Sequence, residues 1–482
     1  MGNTSIRKAV MINFVGKYSN ILLGLVYSAI LSRFLEPKDF GVVAVVTVFT
    51  SFFSLLANMG IGPAIIQNRE LSNNDVNNIY SYTVYIGLLI GIAFSLFSIP
   101  LSMFYGDSVY IPIGILLSIS LFFNTVNIVP NAILLKEHRF KLVNMRLVSV
   151  TIITAIPTLI MANFGFKYYS IVLHSILVSF VKFIWNYLTV KPQFHFRVDS
   201  DSIKKIRSFS SFQMGFSVIN YFSRNLDNLL IGRFIGSEAL GYYDKSYRLM
   251  LYPVNNLTHV ITPVLHPILS ASQFDKDKLF NQYKKVINIL SVLGVFVSAF
   301  SFFAAEEIIL IMYGNQWGLS VISFRYLALS IWAQMITSST GSIFQSIGNT
   351  KLLFKTGLLS SALQVSSILI GVLLGDINSV ALFITIGYNI NFFITFFMLI
   401  KIGLGKSLVD FYKGFLPDIF NFIITFGAIF VVSQFRFDSL FISFGTKLVI
   451  GSLVYCTTLV FTKRYKILLM AFGRKKKKTK VS

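Results

Sequence analysis

The chain has 482 residues, a mean hydropathy of +0.71, only 13% charged residues and a formal net charge of +23 at pH 7. A soluble globular protein of this length needs far more polar surface, so that class is excluded. Apolar runs of about 20 residues recur from end to end, which is the pattern of an all-α polytopic membrane protein, and the alternating ten-residue segments of a β-barrel are absent.

Hydropathy predicts fourteen spans: 10–31, 40–66, 79–104, 109–135, 142–164, 168–190, 209–232, 240–268, 286–312, 318–347, 352–374, 377–400, 414–434 and 440–462. The first follows Arg7 and Lys8 as a signal peptide would. It contains Lys17 and Asn20, lacks a small-residue cleavage site and is followed by more spans, so it reads as a retained helix. The connections are too short to hold a separate soluble domain. Basic residues set the expected orientation. With the N-terminus inside, the inner segments hold clusters such as Lys136, Arg139 and Lys141, then Lys204, Lys205 and Arg207, and finally Arg474 to Lys478. The outer segments hold only Arg33, Lys38, Lys167, Arg233 and Arg436. Both termini are therefore expected in the cytoplasm. The net charge is then mostly a topology signal and the tail can meet anionic headgroups; no folded basic surface is available for nucleic acid.

Residues 213–233 form the most informative stretch. The run is long enough to span a bilayer, yet Gln213, Ser217, Asn220, Arg224, Asp227 and Asn228 recur at helical spacing and make one polar stripe. Polar stripes on membrane helices face a bundle interior or a watery cavity. Two hundred residues earlier, Asn13, Lys17, Asn20, Tyr27 and Ser28 make a similar stripe. Arg7, Asn20, Arg33, Phe34, Gly41, Ile61 and Pro63 recur as Arg207, Asn220, Arg233, Phe234, Gly241, Ile261 and Pro263. The identities are few, and the matched polar pattern carries more weight. Six spans separate the copies, so the expected architecture is a parallel repeat about an axis along the membrane normal. The expected organisation is an N-lobe at 1–190, a cytoplasmic linker at 191–208, a C-lobe at 209–402, two extra spans at 403–463 and a basic tail at 464–482. Gly60, Gly62 and Pro63 mark a soft point or static kink late in the second span.

Enzyme motifs are weak. The five histidines lack H-E-x-x-H spacing, no P-loop occurs, and Glu306 and Glu307, being adjacent, cannot face each other on a helix. Asp275-Lys276-Asp277 has a D-x-D form, best read as a solvated loop. The lone Cys456 excludes an internal disulfide. Lys182 and Lys447, near span ends, read as pairing or snorkelling residues. Lys17, Arg224 and Arg248 lie deeper, and their positive excess suits an anionic substrate. Asp244 and Arg248 are spaced i, i+4, and Arg224 and Asp227 i, i+3, close enough to pair locally.

The run from Asn225 through Asp227, Asn228, Gly232-Arg233, Gly236, Gly241 and Tyr242-Tyr243 to Tyr247-Arg248-Leu249 and Pro253 resembles the polysaccharide-transport branch of the MOP flippase superfamily, the Wzx-type and teichuronic-acid-type exporters. Tyr313-Gly314-Asn315-Gln316-Trp317, Arg325-Tyr326-Leu327 and Ser32-Arg33-Phe34-Leu35 fit the same resemblance, which covers nearly the whole chain. It implies a two-lobed, MATE-like bundle of twelve to fourteen helices in the bacterial plasma membrane, rocking around a central cationic cavity. It also implies a cargo of oligosaccharide on polyprenyl diphosphate, surrounding membrane lipids, a coupling ion (H+ or Na+) in place of ATP, no cofactor, and a place beside polysaccharide polymerase machinery. On that reading the substrate-binding residues are Lys17, Asn20, Asn220, Arg224, Asn228, Tyr247 and Arg248, and the cation-coupling residues are Asp227 and Asp244. The competing readings are a multidrug or peptidoglycan-precursor transporter of the same superfamily, and a membrane polymerase or glycosyltransferase.

Overall fold

The structure, a computed structural model, describes residues 3–58, 60–206, 211–270 and 275–472, and side chains within 15–58, 60–206, 217–258 and 275–469. Asn13, Gln213, Pro263 and the Arg474–Lys478 run lie outside the described side chains.

The regular secondary structure of the described residues is all helical, with no strand among them. In chain order the helices are α1 (Asn3–Phe34), α2 (Pro37–Asn58), α3 (Ile61–Gln67), α4 (Asn73–Tyr105), α5 (Tyr110–Val126), α6 (Ile128–Lys136), α7 (Phe140–Asn163) and α8 (Tyr168–Val190). Next come α9 (Ser200–Lys204), α10 (Ser211–Leu230), a π turn at Ile231–Ile235, and α11 (Ser237–Ser270). There follow α12 (Lys276–Phe303), α13 (Ala305–Tyr313), α14 (Ser320–Ala328), α15 (Ile331–Thr337), α16 (Thr340–Ser346), α17 (Thr350–Leu373) and α18 (Ile377–Phe396). The chain ends with α19 (Leu408–Lys413), α20 (Leu416–Ser433), α21 (Leu440–Phe461) and α22 (Tyr465–Phe472).

Ten helical segments of the described chain are long and apolar enough to cross a membrane. They fall on ten of the fourteen predicted spans. The other four fall on α1, α10, α11 and the broken series α14–α16. α1, α10 and α11 carry the polar stripes, which lower their mean hydropathy. Lipid-facing character is visible side by side with burial: on α4, Leu89, Ile92, Leu96, Ile99 and Met103 are exposed at helical spacing while Ile90, Phe94, Ser98 and Leu101 are buried.

The predicted soft point is a true helix break. α2 ends at Asn58, Gly60 takes a positive φ of 78°, and α3 starts at Ile61. Glycine enters that backbone region without a Cβ penalty. Pro63 sits in the first turn of α3, where a missing N–H costs nothing.

By packing, the chain divides into two compact units, residues 1–241 and 242–482. In the first, α4 and α5 form an antiparallel pair, α1 lies along α7, and α8 covers both α5 and α7. The contacts of α1 with α7 run in register: a Cβ on Gly16 would touch Asn144, and Thr151 donates to Asn20 at 2.7 Å, so the two helices are parallel. α10 packs on α2 through Phe52, which lies against Tyr221 and Phe222, and the Tyr221 hydroxyl donates to the Val48 carbonyl.

The 200-residue repeat has a geometric counterpart here. A Cβ on Gly41 would stand 1.6 Å from the Ser237 carbonyl oxygen, and one on Gly241 would stand 1.9 Å from the Pro37 carbonyl oxygen. Position 41 meets 237 as position 241 meets 37, the reciprocal contact of a two-fold related pair. Burial repeats as well: Leu31 and Ile231 are buried, and Arg33-Phe34 and Arg233-Phe234 are exposed.

The 191–206 segment is strapped to α4. The backbone N–H groups of Gln193, His195 and Asp199 donate to Asn77, Ser81 and Asn78 at 2.9, 2.7 and 3.1 Å. Lys205 and Ser202 both donate to Asp75, each at 2.9 Å. In the second unit α12 is the centre, packed by α14, α15, α20 and α21. The D-x-D segment is structural: Asp275 caps α12 by accepting from the Lys278 N–H at 2.9 Å, and Asp277 pairs with Lys406.

Candidate functional site

The polar stripe of α1 has a definite neighbour. Val15, Leu22, Val26 and Ile30 form the exposed apolar face of the helix. Lys17, Asn20 and Tyr27 lie on the opposite face and are half-buried. Asn20 accepts from Thr151 of α7, and the Tyr27 ring stacks on His174 of α8 with centroids 4.3 Å apart. The stripe therefore runs along the α7 and α8 side of the first unit. Lys17 has no ion pair with a described carboxylate.

On α10, Asn220 is half-buried, Asp227 is 2% exposed and Asn228 is 8% exposed. The Asp227 carboxylate accepts from the Asn228 N–H at 2.9 Å, and the Asn228 side-chain oxygen has no partner among the described residues. Arg224 is exposed and pairs with no described carboxylate, so the i, i+3 pair with Asp227 does not form. No hydrogen bond or ion pair among the described residues joins Lys17 to Arg224.

In the second unit, Arg248 is held at 2.6 Å by Asp244, one turn earlier on α11. Asp244 is buried and the arginine side chain is more than half exposed, so the carboxylate anchors the base of a guanidinium that remains accessible. Lys245 is buried, its ammonium 4.7 Å from the Tyr313 ring centroid and 5.4 Å from that of Trp317. The Tyr313–Trp317 motif thus supplies aromatic faces to a buried cation. Tyr247 stacks on Tyr243 and shares a 2.7 Å hydrogen bond with Tyr388 of α18.

Three buried charged groups were not singled out as sites by sequence. Lys447 pairs with Glu307, and Ser443 donates to the same carboxylate. Arg464 pairs with Asp418 at 3.0 Å, and Ser291 donates to that carboxylate at 2.7 Å. Arg146 of α7 is 3% exposed, with no acid beside it. The first two have i, i+140 and i, i+46 spacings, which no local pattern reveals. Arg146 stands near the start of its span, where a basic residue reads as a flank.

The described helices make a multi-pass membrane protein with polar stripes on its least apolar spans, and its fold is that of solved flippase and multidrug-transporter structures. The structure matches the lipid II flippase MurJ in an inward closed conformation with a TM-score of 0.75 over 95% of this chain and 100% of that one, at 15% identity. It matches an inward-facing multidrug MATE transporter of the MOP superfamily with a TM-score of 0.63 over 80% and 94%, also at 15% identity.

The chain belongs to the polysaccharide biosynthesis protein family, whose model matches residues 30–322. It is 25% identical over 455 residues to an uncharacterized membrane protein in the cps region of Klebsiella pneumoniae, covering 91% of each. It is 24% identical over 396 residues to the lipopolysaccharide biosynthesis protein WzxC of Escherichia coli, covering 80% of this chain and 79% of that one. It is 23% identical over 386 residues to the teichuronic acid biosynthesis protein TuaB of Bacillus subtilis, covering 79% and 80%.

Proposed function

We propose that this protein is a flippase that moves polyprenyl-diphosphate-linked oligosaccharide from the cytoplasmic to the outer leaflet of the bacterial plasma membrane by alternating access, and that it is not an enzyme. Both termini are cytoplasmic on this reading. The observation that carries it is Arg224: an accessible arginine on a membrane-spanning helix, with no carboxylate partner among the described residues, in a chain with a flippase fold and polysaccharide-biosynthesis relatives. An unpaired cation is costly inside a membrane unless an anionic ligand meets it. A diphosphate supplies that charge, and a guanidinium binds it through paired hydrogen bonds.

In the first unit the diphosphate engages Lys17 and Arg224 and the sugars meet Asn20, Asn220 and Asn228; in the second unit Arg248 and Tyr247 are the corresponding candidates. Asp227 and Asp244 are the cation-coupling candidates, and Asp244 also holds Arg248. A drug exporter handling cations would need accessible acids in place of these bases, and a polymerase would need a catalytic loop.

The test is a strain whose only copy carries Arg224→Ala. Membrane levels of the protein stay normal, surface polysaccharide is lost, and undecaprenyl-linked oligosaccharide accumulates on the inner leaflet. Normal surface polysaccharide in that strain contradicts the assignment.

A further inference from the structure

The interior of the first unit holds a second basic cluster, separate from the proposed cargo residues. Arg146 on α7 is almost wholly buried. Its guanidinium donates to the side-chain oxygens of Asn186 on α8 and, at 3.1 Å, of Asn131 on α6. The Asn186 amide nitrogen in turn donates to the Asn127 oxygen at 2.7 Å. Two of the five guanidinium N–H groups are thus met, and Nε has no acceptor among the described residues. Lys182 is half-buried one helical turn from Asn186, on the same face of α8.

Charge neutralisation is missing here. Residues 110–190, which make up α5 to α8, contain one acidic residue, Glu137. Glu137 is spent on Arg139 at 2.7 Å, in the exposed turn between α6 and α7. Neither Arg146 nor Lys182 has an ion pair among the described residues. Asparagine oxygens orient a guanidinium, but they carry no net charge to offset one in a low-dielectric bundle. Two cations on adjacent helices, one with a buried donor unused, leave a place for one negative charge.

We propose that the α7–α8 seam is an anion site, in which a compact anion (chloride or a phosphate group) accepts from the Arg146 Nε and the Lys182 ammonium while Asn131 and Asn186, the latter held by Asn127, fix the guanidinium. The half-buried Lys182 is the entry side, since Arg146 is closed off. The site does not depend on the cargo route, and its occupancy is read by binding rather than by flipping.

The experiment measures thermal unfolding of the purified full-length protein in detergent, in a gluconate medium titrated with sodium chloride, inorganic phosphate or farnesyl diphosphate. The expected result is a saturable rise in Tm with at least one of the three. Stabilisation by chloride or phosphate identifies a free anion, and stabilisation by farnesyl diphosphate alone identifies a lipid headgroup. Lys182→Gln should unfold at the wild-type temperature in gluconate and raise the midpoint anion concentration at least about tenfold. Arg146→Lys, which keeps the charge but loses the fork, should weaken the response in the same direction. A Tm that none of the three raises, or a titration unchanged in Lys182→Gln, overturns the proposal.

Discussion

The two units differ in how often a base within a helix is met by an acid. In the second unit Lys447 has Glu307, Arg464 has Asp418, Arg248 has Asp244, and Lys245 has the rings of Tyr313 and Trp317, while Arg325 lies over the Phe302 ring without a described carboxylate. In the first unit the bases within spans, Lys17, Arg146, Lys182 and Arg224, meet only neutral groups or none among the described residues. The comparison separates two uses of a costly residue. A neutralised pair can fix helices against one another, whereas an unneutralised cation in a membrane protein awaits charge from a ligand.

Breaking a pair in the second unit tests this most severely. Glu307→Gln should destabilise the protein by about 3–5 kcal/mol, because Lys447 is left charged and buried. The double variant Glu307→Leu with Lys447→Met should recover most of that loss in detergent unfolding; an unrecovered double variant would mean that packing, not charge, holds α13 to α21. Asp418→Asn should cost less, about 2–3 kcal/mol, since Arg464 keeps its bond to the Gly414 carbonyl. At the margin of the first unit, Asp75→Asn removes the pair with Lys205, whose side chain is 47% exposed, and should cost no more than about 1 kcal/mol. Its clearer readout is faster proteolysis of the 191–206 segment. Lys182→Gln in gluconate medium should have the smallest effect, with unfolding at the wild-type temperature, because no partner is stranded.

Much of this fold was legible in the amino-acid order, because a span is a local property. The predicted 168–190 coincides with Tyr168–Val190, whereas the close approach of Gly41 to Ser237 and of Gly241 to Pro37 was not read from the sequence. The break at Gly60 was legible because it too is local. The continuous span predicted at 318–347 is instead three short helices, since hydropathy registers apolar content and not the turns at Leu329 and Ser338. Polar stripes were readable as stripes, but the helix each one meets was not. Asn20 pairs with Thr151 and Lys447 with Glu307 across more than 100 residues, and periodicity carries no information about such partners. The asparagine cage of Arg146 was hidden likewise, its members lying on three helices.

The most direct measurement is the transfer of polyprenyl-diphosphate-linked oligosaccharide across vesicles containing the purified protein, with wild type and Arg224→Ala side by side. The account predicts protein-dependent transfer by wild type and a fall to the rate of empty vesicles with Arg224→Ala, with both proteins incorporated equally. Equal transfer by the two proteins would contradict the central role given to an unpaired cation in the first unit.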